Sequence, residues 1–193
     1  MPREKQYNET ELIERAMHAF WARGYKGTSI GDLVEATGIK RGSLYAAYDG
    51  KRSLFMAALR HYDRLHRREF LARFSQEHAP KDAIIALFDV AATSVQNDEN
   101  PAGCLLVNTA IELSPHDAEI AGLIQSSFDA VESFFAKMIE CAKRDRTVSQ
   151  SIQPGETAKA LLGLFLGLRV LARSNADHTT KQAIIAQARR MLD

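Results

Sequence analysis

Lys40, Arg41, Ser43 and Tyr45 crowd two cations, a hydroxyl and a phenol into six consecutive positions, with Lys51 a little further along. Such groups donate hydrogen bonds to base edges, where Lys and Arg suit guanine acceptors, and to phosphate oxygens. For that chemistry they must share one face of a short helix whose other face packs. Ile39 and Leu44 supply the packing face of a helix predicted from about Ile39 to Tyr48. Ahead of it Ile30, Leu33 and Val34 recur at helical spacing, Thr28 or Ser29 can cap, and Asp32 stands three positions after Ser29. Gly38 supplies a residue able to take positive φ where this first helix must stop. Two short helices joined at a glycine form a helix-turn-helix, whose second helix enters the major groove. Gly42 inside that helix costs roughly 1 kcal/mol against alanine. We read it as the place where a side chain would keep the backbone from phosphates or the groove wall. A solvated amphipathic hairpin is the other reading of the same pattern.

The wider context resembles the amino-terminal domain of the TetR/AcrR family of one-component transcriptional regulators, without a gap from Leu12 to Leu54. The resemblance rests on Phe20, Gly24, Tyr25, Thr28, Ser29, Ile30, Leu33, Gly38, Ile39, Arg41, Gly42, Ser43, Leu44, Tyr45, Tyr48 and Lys51. It implies that Thr28, Tyr45 and Lys51 touch phosphates and that the stretch 40 to 46 faces base edges. Ser29, Lys40, Arg41, Gly42, Ser43 and Tyr48 complete the expected DNA-binding set. Ala46 and Ala47 stand where the family often has histidines, and Tyr48 where it often has Phe, so no operator sequence carries over.

The chain has 193 residues, 46% hydrophobic and 25% charged, enough for a small reader plus a helical body. Its net charge is only +1, but the charge is uneven. Residues 1 to 73 hold 14 Lys and Arg against 9 Asp and Glu; residues 74 to 193 hold 11 against 15. The basic excess therefore lies with the reader, and includes Arg60, Arg64, Arg67, Arg68 and Arg73. Those arginines either raise the potential felt by phosphates or form the solvated face of a long helix. Met-Pro-Arg-Glu-Lys-Gln leads into a charged helix, so no signal peptide is expected, and no apolar run reaches the roughly 20 residues of a membrane span. A cytoplasmic protein without membrane contact, cofactor or metal is the expectation.

Apolar periodicity and stop signals predict an all-α chain of about nine helices: a three-helix DNA-binding domain over 1–50, and an effector-binding and dimerisation body over 51–193. The first helix runs from about Glu9 to Arg23 with Asn8 as cap, and a long helix runs from Lys51 to about Phe74. The fifth, after Ala79-Pro80, carries Phe88 and Val95 and ends at Asn97-Asp98-Glu99-Asn100-Pro101. A short sixth spans about Gly103 to Leu113. Ser114 then caps a seventh, with Pro115 at its first position, to about Arg144. The eighth and ninth are placed at Glu156 to Ser174 and Thr179 to Leu192.

The eighth helix is apolar over more than one face, more than one helix of a small bundle can hide. Leu161, Gly163, Leu164, Gly167, Leu168 and Leu171, with Ile184 and Ala188 of the ninth, are the expected homodimer interface; packing within one subunit is the alternative. The family resemblance also implies dimerisation through the last two helices. A two-fold dimer requires a palindromic operator on double-stranded DNA.

Cys104 lies at the predicted start of the sixth helix, where unpaired amides favour a thiolate. It sits in a Gly-Cys-Leu segment similar to that of family members that respond to electrophiles or oxidants. A buried cysteine serving as a small hydrophobe is the alternative. Cys141 is read as structural, without nearby cations on its own face. For a small-molecule effector the candidates are Phe88, Asn108, Phe128, Phe135, Phe165 and Arg169, the two polar ones because a polar group in an apolar helix needs a partner. The expected protein is thus a repressor, not an enzyme, released from its operator by a small or reactive effector. A helical thiol enzyme using Cys104 with His116 as base is the rival from another class.

Overall fold

The structure is a computed structural model describing residues 8–93 and 103–193. Among the described residues every regular element is helical, in the order α1 Glu9–Arg23, α2 Ile30–Thr37, α3 Arg41–Ala47, α4 Gly50–Asp63, a π-helical turn Arg64–Glu69, α5 Phe70–Glu77, α6 Pro80–Thr93, α7 Leu105–Glu112, α8 Ala118–Arg144, α9 Pro154–Arg173 and α10 His178–Arg190. Counting α4, the π turn and α5 as one rod gives the nine helices expected. Val95 and the stop at 97–101 lie outside the described residues.

Local chemistry explains most of the boundaries. Asn8 Oδ1 accepts from the Thr10 amide at 3.0 Å and so satisfies a free donor at the start of α1. Ser29 and Asp32 form a reciprocal capping box on α2, and Gly38 ends it at φ 69°, ψ 11°, a conformation few side chains tolerate. Two expectations need correction. Ser114 does not cap the long helix and Pro115 is not its first residue. Residues 113–116 form a turn, and Asp117 is the cap, accepting from the Glu119 and Ile120 amides at 3.1 Å. A carboxylate three residues nearer the apolar register simply satisfies those amides better than a hydroxyl set back by the turn.

The long helix expected from Lys51 is interrupted, too. At the π turn Arg67 and Arg68 both reach Asp63, Arg67 through a bidentate contact and Arg68 at 3.5 Å. Ser127 of α8 also donates to that carboxylate, at 2.7 Å. Burial alone would raise the Asp63 pKa; the hydrogen bonds from Arg67 and Ser127 and the two arginine charges outweigh it and hold the group below its ordinary value. The basic face is therefore largely paired rather than free: Arg60 with Glu119, Arg64 with His61, Arg73 with Glu77.

Two apolar cores result. One joins α1 to α4 with α7 and the start of α8, around Phe20, Leu33, Leu44, Phe55 and Tyr62. The other joins α5, α6, α8, α9 and α10 around Phe88, Phe135, Leu161 and Leu168. The apolar face of α4, through Leu54, Phe55, Leu59 and Tyr62, belongs to the first. No described helix is long and apolar enough to cross a membrane.

Candidate nucleic-acid interface

The first core holds α3 by Leu44, which has no exposed surface, while Lys40, Arg41, Gly42, Ser43 and Tyr45 are all exposed around it. Lys40 precedes the helix as its N-cap residue, in extended backbone, so the helix begins at Arg41 rather than at Ile39. Arg41 lies over the Tyr45 ring at 5.8 Å, one turn on. Lys51 Nζ stands 4.3 Å above the Tyr25 ring, half-buried at the start of α4. A Cβ built on Gly42 meets nothing within 4 Å. The chain itself therefore places no steric demand for glycine there, and any demand comes from outside.

Two residues of the expected DNA-binding set are buried in this structure. Thr28 has no exposed surface, and its hydroxyl donates to the Gly24 carbonyl at 2.7 Å, tying the end of α1 to the start of α2. Tyr48 takes extended backbone just beyond α3 and packs into the first core, only 9% exposed. Ser29 is exposed, with its hydroxyl engaged by Asp32.

Behind the reader lies a cavity of about 40 Å³ lined by α4, the π turn and α5 to α9. Cys104, Phe128, Phe165 and Arg169 line it together, as do Tyr62 and His66, which the sequence pattern did not single out. Cys104 is the N-cap residue of α7 and 8% exposed. Burial first, and the neighbouring Cys104 next, push the Tyr62 phenol well above its ordinary pKa, while Arg169 opposes them. Burial, with Arg169 and two other histidines nearby, pushes His66 down to about 4, so its imidazole is neutral at pH 7. It stacks on Tyr62 at 4.5 Å.

Other candidates are displaced from this cavity. Phe88 and Phe135 have no exposed surface and pack with Phe165 at 5.6–6.0 Å as core, so they are not ligand contacts in this state. Asn108, one turn after Cys104, is not in the lining, and its amide nitrogen is buried without a partner. Cys141 does have a cation on its face: Arg144 donates to its Sγ at 2.9 Å. The proposed thiol–base pair does not form, since His116 is exposed beyond the far end of α7, about 12 Å of helix from Cys104.

Part of the expected dimer set also faces inward. Leu161 and Leu168 of α9 and Ala188 of α10 are fully buried in the second core of their own subunit, on the faces their helical periods turn inward. Gly163, Leu164, Gly167, Leu171 and Ile184 stay at least partly exposed, and nothing lies within 4 Å of a Cβ built on either glycine.

A seven-residue helix offering cations on a rigid three-helix head, joined to a separate helical body, defines a helix-turn-helix DNA-binding regulator. Comparison with known proteins gives the particular family. The family model for bacterial regulatory proteins, tetR family, matches residues 12–58, and that for the tetracyclin repressor-like C-terminal domain matches residues 80–188. The chain is similar to the HTH-type transcriptional repressor ComR of Escherichia coli (strain K12), 31% identical over 177 residues, 91% of this chain and 84% of that protein. It is 29% identical to the HTH-type transcriptional regulator YezE of Bacillus subtilis (strain 168), over 92% of each chain. Among solved structures, a cysteine mutant of the TetR family regulator CifR complexed with 26-base-pair double-strand operator DNA superposes with a TM-score of 0.85. It is 26% identical, over 99% of this chain and 100% of that one. The chain belongs to the TetR family, and it is a DNA-binding transcriptional regulator.

Proposed function

We propose that the protein is a homodimeric repressor of a palindromic operator, released when the Cys104 cavity is filled or its thiol is modified. The observation that carries the DNA contact is α3, with Lys40, Arg41, Ser43 and Tyr45 exposed around the open backbone of Gly42. Lys51, beside the Tyr25 ring, completes it as a phosphate contact. The operator complex of CifR and the repressor name of ComR support the same reading. The exposed strip of Gly163, Leu164, Gly167 and Leu171 on α9, with Ile184 of α10, is our dimer contact.

The size of the cavity constrains the effector. A water occupies about 30 Å³ of liquid and ligand pockets run to hundreds of Å³, so 40 Å³ admits a very small molecule or requires the helices to part. A reactive small electrophile or oxidant at Cys104 satisfies both options, since adding atoms to a buried thiol forces the cavity open. Such an effector acts only through unequal affinity for the two states.

A gel shift with DNA upstream of the protein's own gene tests the reading. Lys51→Ala should weaken binding on all sequences and lower the salt slope by about 1, whereas Arg41→Ala should relax base preference at a cost of about 1–3 kcal/mol. N-ethylmaleimide or peroxide should release wild type and spare Cys104→Ser. Equal response of both proteins would remove Cys104 from the mechanism, and a protein that sediments as a monomer yet binds its operator tightly would remove the dimer.

A further inference from the structure

Besides the shared apolar core and the pairs that Arg52 and Arg60 of α4 make with Asp117 and Glu119, the body grips the reading head at the junction of α1 and α2, where two side chains of opposite charge do the holding. Glu112, the last residue of α7, accepts from the Tyr25 amide at 3.0 Å and from the Lys26 amide at 2.6 Å. Arg173, the last residue of α9, donates to the carbonyls of Trp21 and Ala22 at 3.2 and 3.3 Å. Those carbonyls belong to the last turn of α1, which has no partners of its own and carries the negative end of the helix dipole. The carboxylate thus meets the donors of the turn and the guanidinium meets its acceptors, each a charge-assisted bond. Gly24 makes room: a Cβ there would stand 2.8 Å from Glu112 Oε2, and φ is 77°.

Both holding residues lead back to the Cys104 cavity. α7 has Cys104 as its cap at one end and Glu112 at the other, about 12 Å apart as a single stiff element. Gly103, next to Cys104, packs directly on α9: a Cβ there would lie 3.0 Å from Arg173 Cβ and 3.3 Å from the carbonyl of Arg169, itself a lining residue.

We propose that Glu112 and Arg173 are positioning residues for operator binding: they set the angle of the reading head on the body, and α7 and the last turn of α9 carry the state of the cavity to that angle. The inference rests on the dimeric operator reading above. It assigns no DNA contact to either residue, so its signature is spacing, not base preference.

The experiment measures wild type, Glu112→Ala, Glu112→Gln and Arg173→Ala on operator fragments with the native half-site spacing, with the spacing changed by about two base pairs, and with one half-site alone. Wild type is expected to prefer native spacing about ten-fold or more. Both alanine variants should lose most of that preference and bind the native operator about ten-fold more weakly, with half-site affinity unchanged. Glu112→Gln keeps an acceptor oxygen and should fall between. Alanine variants that keep the spacing preference overturn the proposal, and so does an equal loss on half-site DNA, which would mark a merely structural role. Amide exchange at Tyr25 and Lys26 should quicken in Glu112→Ala while core amides of α1 hold; unchanged exchange also overturns it. Wild type without affinity for any DNA would instead sink the regulator reading, and the exchange result would then judge the clamp alone.

Discussion

Arg41 and Tyr45 stand in solvent on a helix of seven residues, whereas Cys104 and Tyr62 lie buried at the cavity lined by α4, the π turn and α5 to α9. In the first region the core residue Leu44 and the capping box of α2 hold the shape, and the cations exposed on α3 are turned outward to serve a partner. In the second the polar groups are packed into the fold: Tyr62 is fully buried beside Cys104, and His66 is kept neutral and stacked on it. Recognition is thereby separated from stability in the head, while in the body the same residues must serve both. Substitutions should therefore change binding without stability in the head, and both together around the cavity.

The most demanding way to break this contrast is Phe135→Ala. Phe135 is fully buried against Phe88 and Phe165, so its loss should cost about 3–5 kcal/mol in denaturant melts. A loss below roughly 1 kcal/mol would mean that this region is already loose enough to admit a ligand.

Acid provides the next test. With its pKa depressed to about 4 from an ordinary 6.5, His66 binds protons more readily in the unfolded chain. Its contribution is complete above pH 6.5 and is lost as the pH falls toward 4. Arg169, His18, His61 and Glu14 are the charged groups that act on it. Wild type should lose on the order of 1 kcal/mol more than His66→Phe between pH 7 and pH 5. Equal losses in urea titrations at the two pH values would show that the imidazole is not what burial strains.

The smallest effect sharpens the head. Gly42→Ala should raise thermal stability by up to about 1 kcal/mol, since the new methyl meets nothing, and yet weaken operator binding. Binding that survives this substitution would leave Gly42 without an external reason.

Much of the head was legible because its rules are local. Asn8, the Ser29–Asp32 box and Gly38 act within four residues of where they sit, and α1 spans the residues its periodicity predicts. The burial of Thr28 and Tyr48 was not legible, because a family pattern preserves residue type without saying whether it serves the core or the ligand. The cavity was half legible: Cys104, Phe128, Phe165 and Arg169 meet there, but Tyr62 and His66 arrive from α4 and the π turn by packing that no spacing encodes. Glu112 reaches Tyr25 across 87 positions, beyond any local signal. Two signals were present and missed: Arg144 stands three residues after Cys141, and Asp117 was a better cap than Ser114. On α9 the apolar count was right, but hydrophobicity alone does not say which leucines face inward.

The π turn at Arg64–Glu69 has a consequence for how the two halves of such a protein diverge. One additional residue within a turn advances the phase of everything after it by about 100° relative to an unbroken helix. The rod that joins head to body thus has two independent azimuths, one set by Leu54, Phe55 and Leu59, the other by Phe74. Insertion or deletion inside residues 64–69 would change that phase, a rotational adjustment that point substitution cannot make, and would at the same time move His66 and Arg67 in the cavity lining.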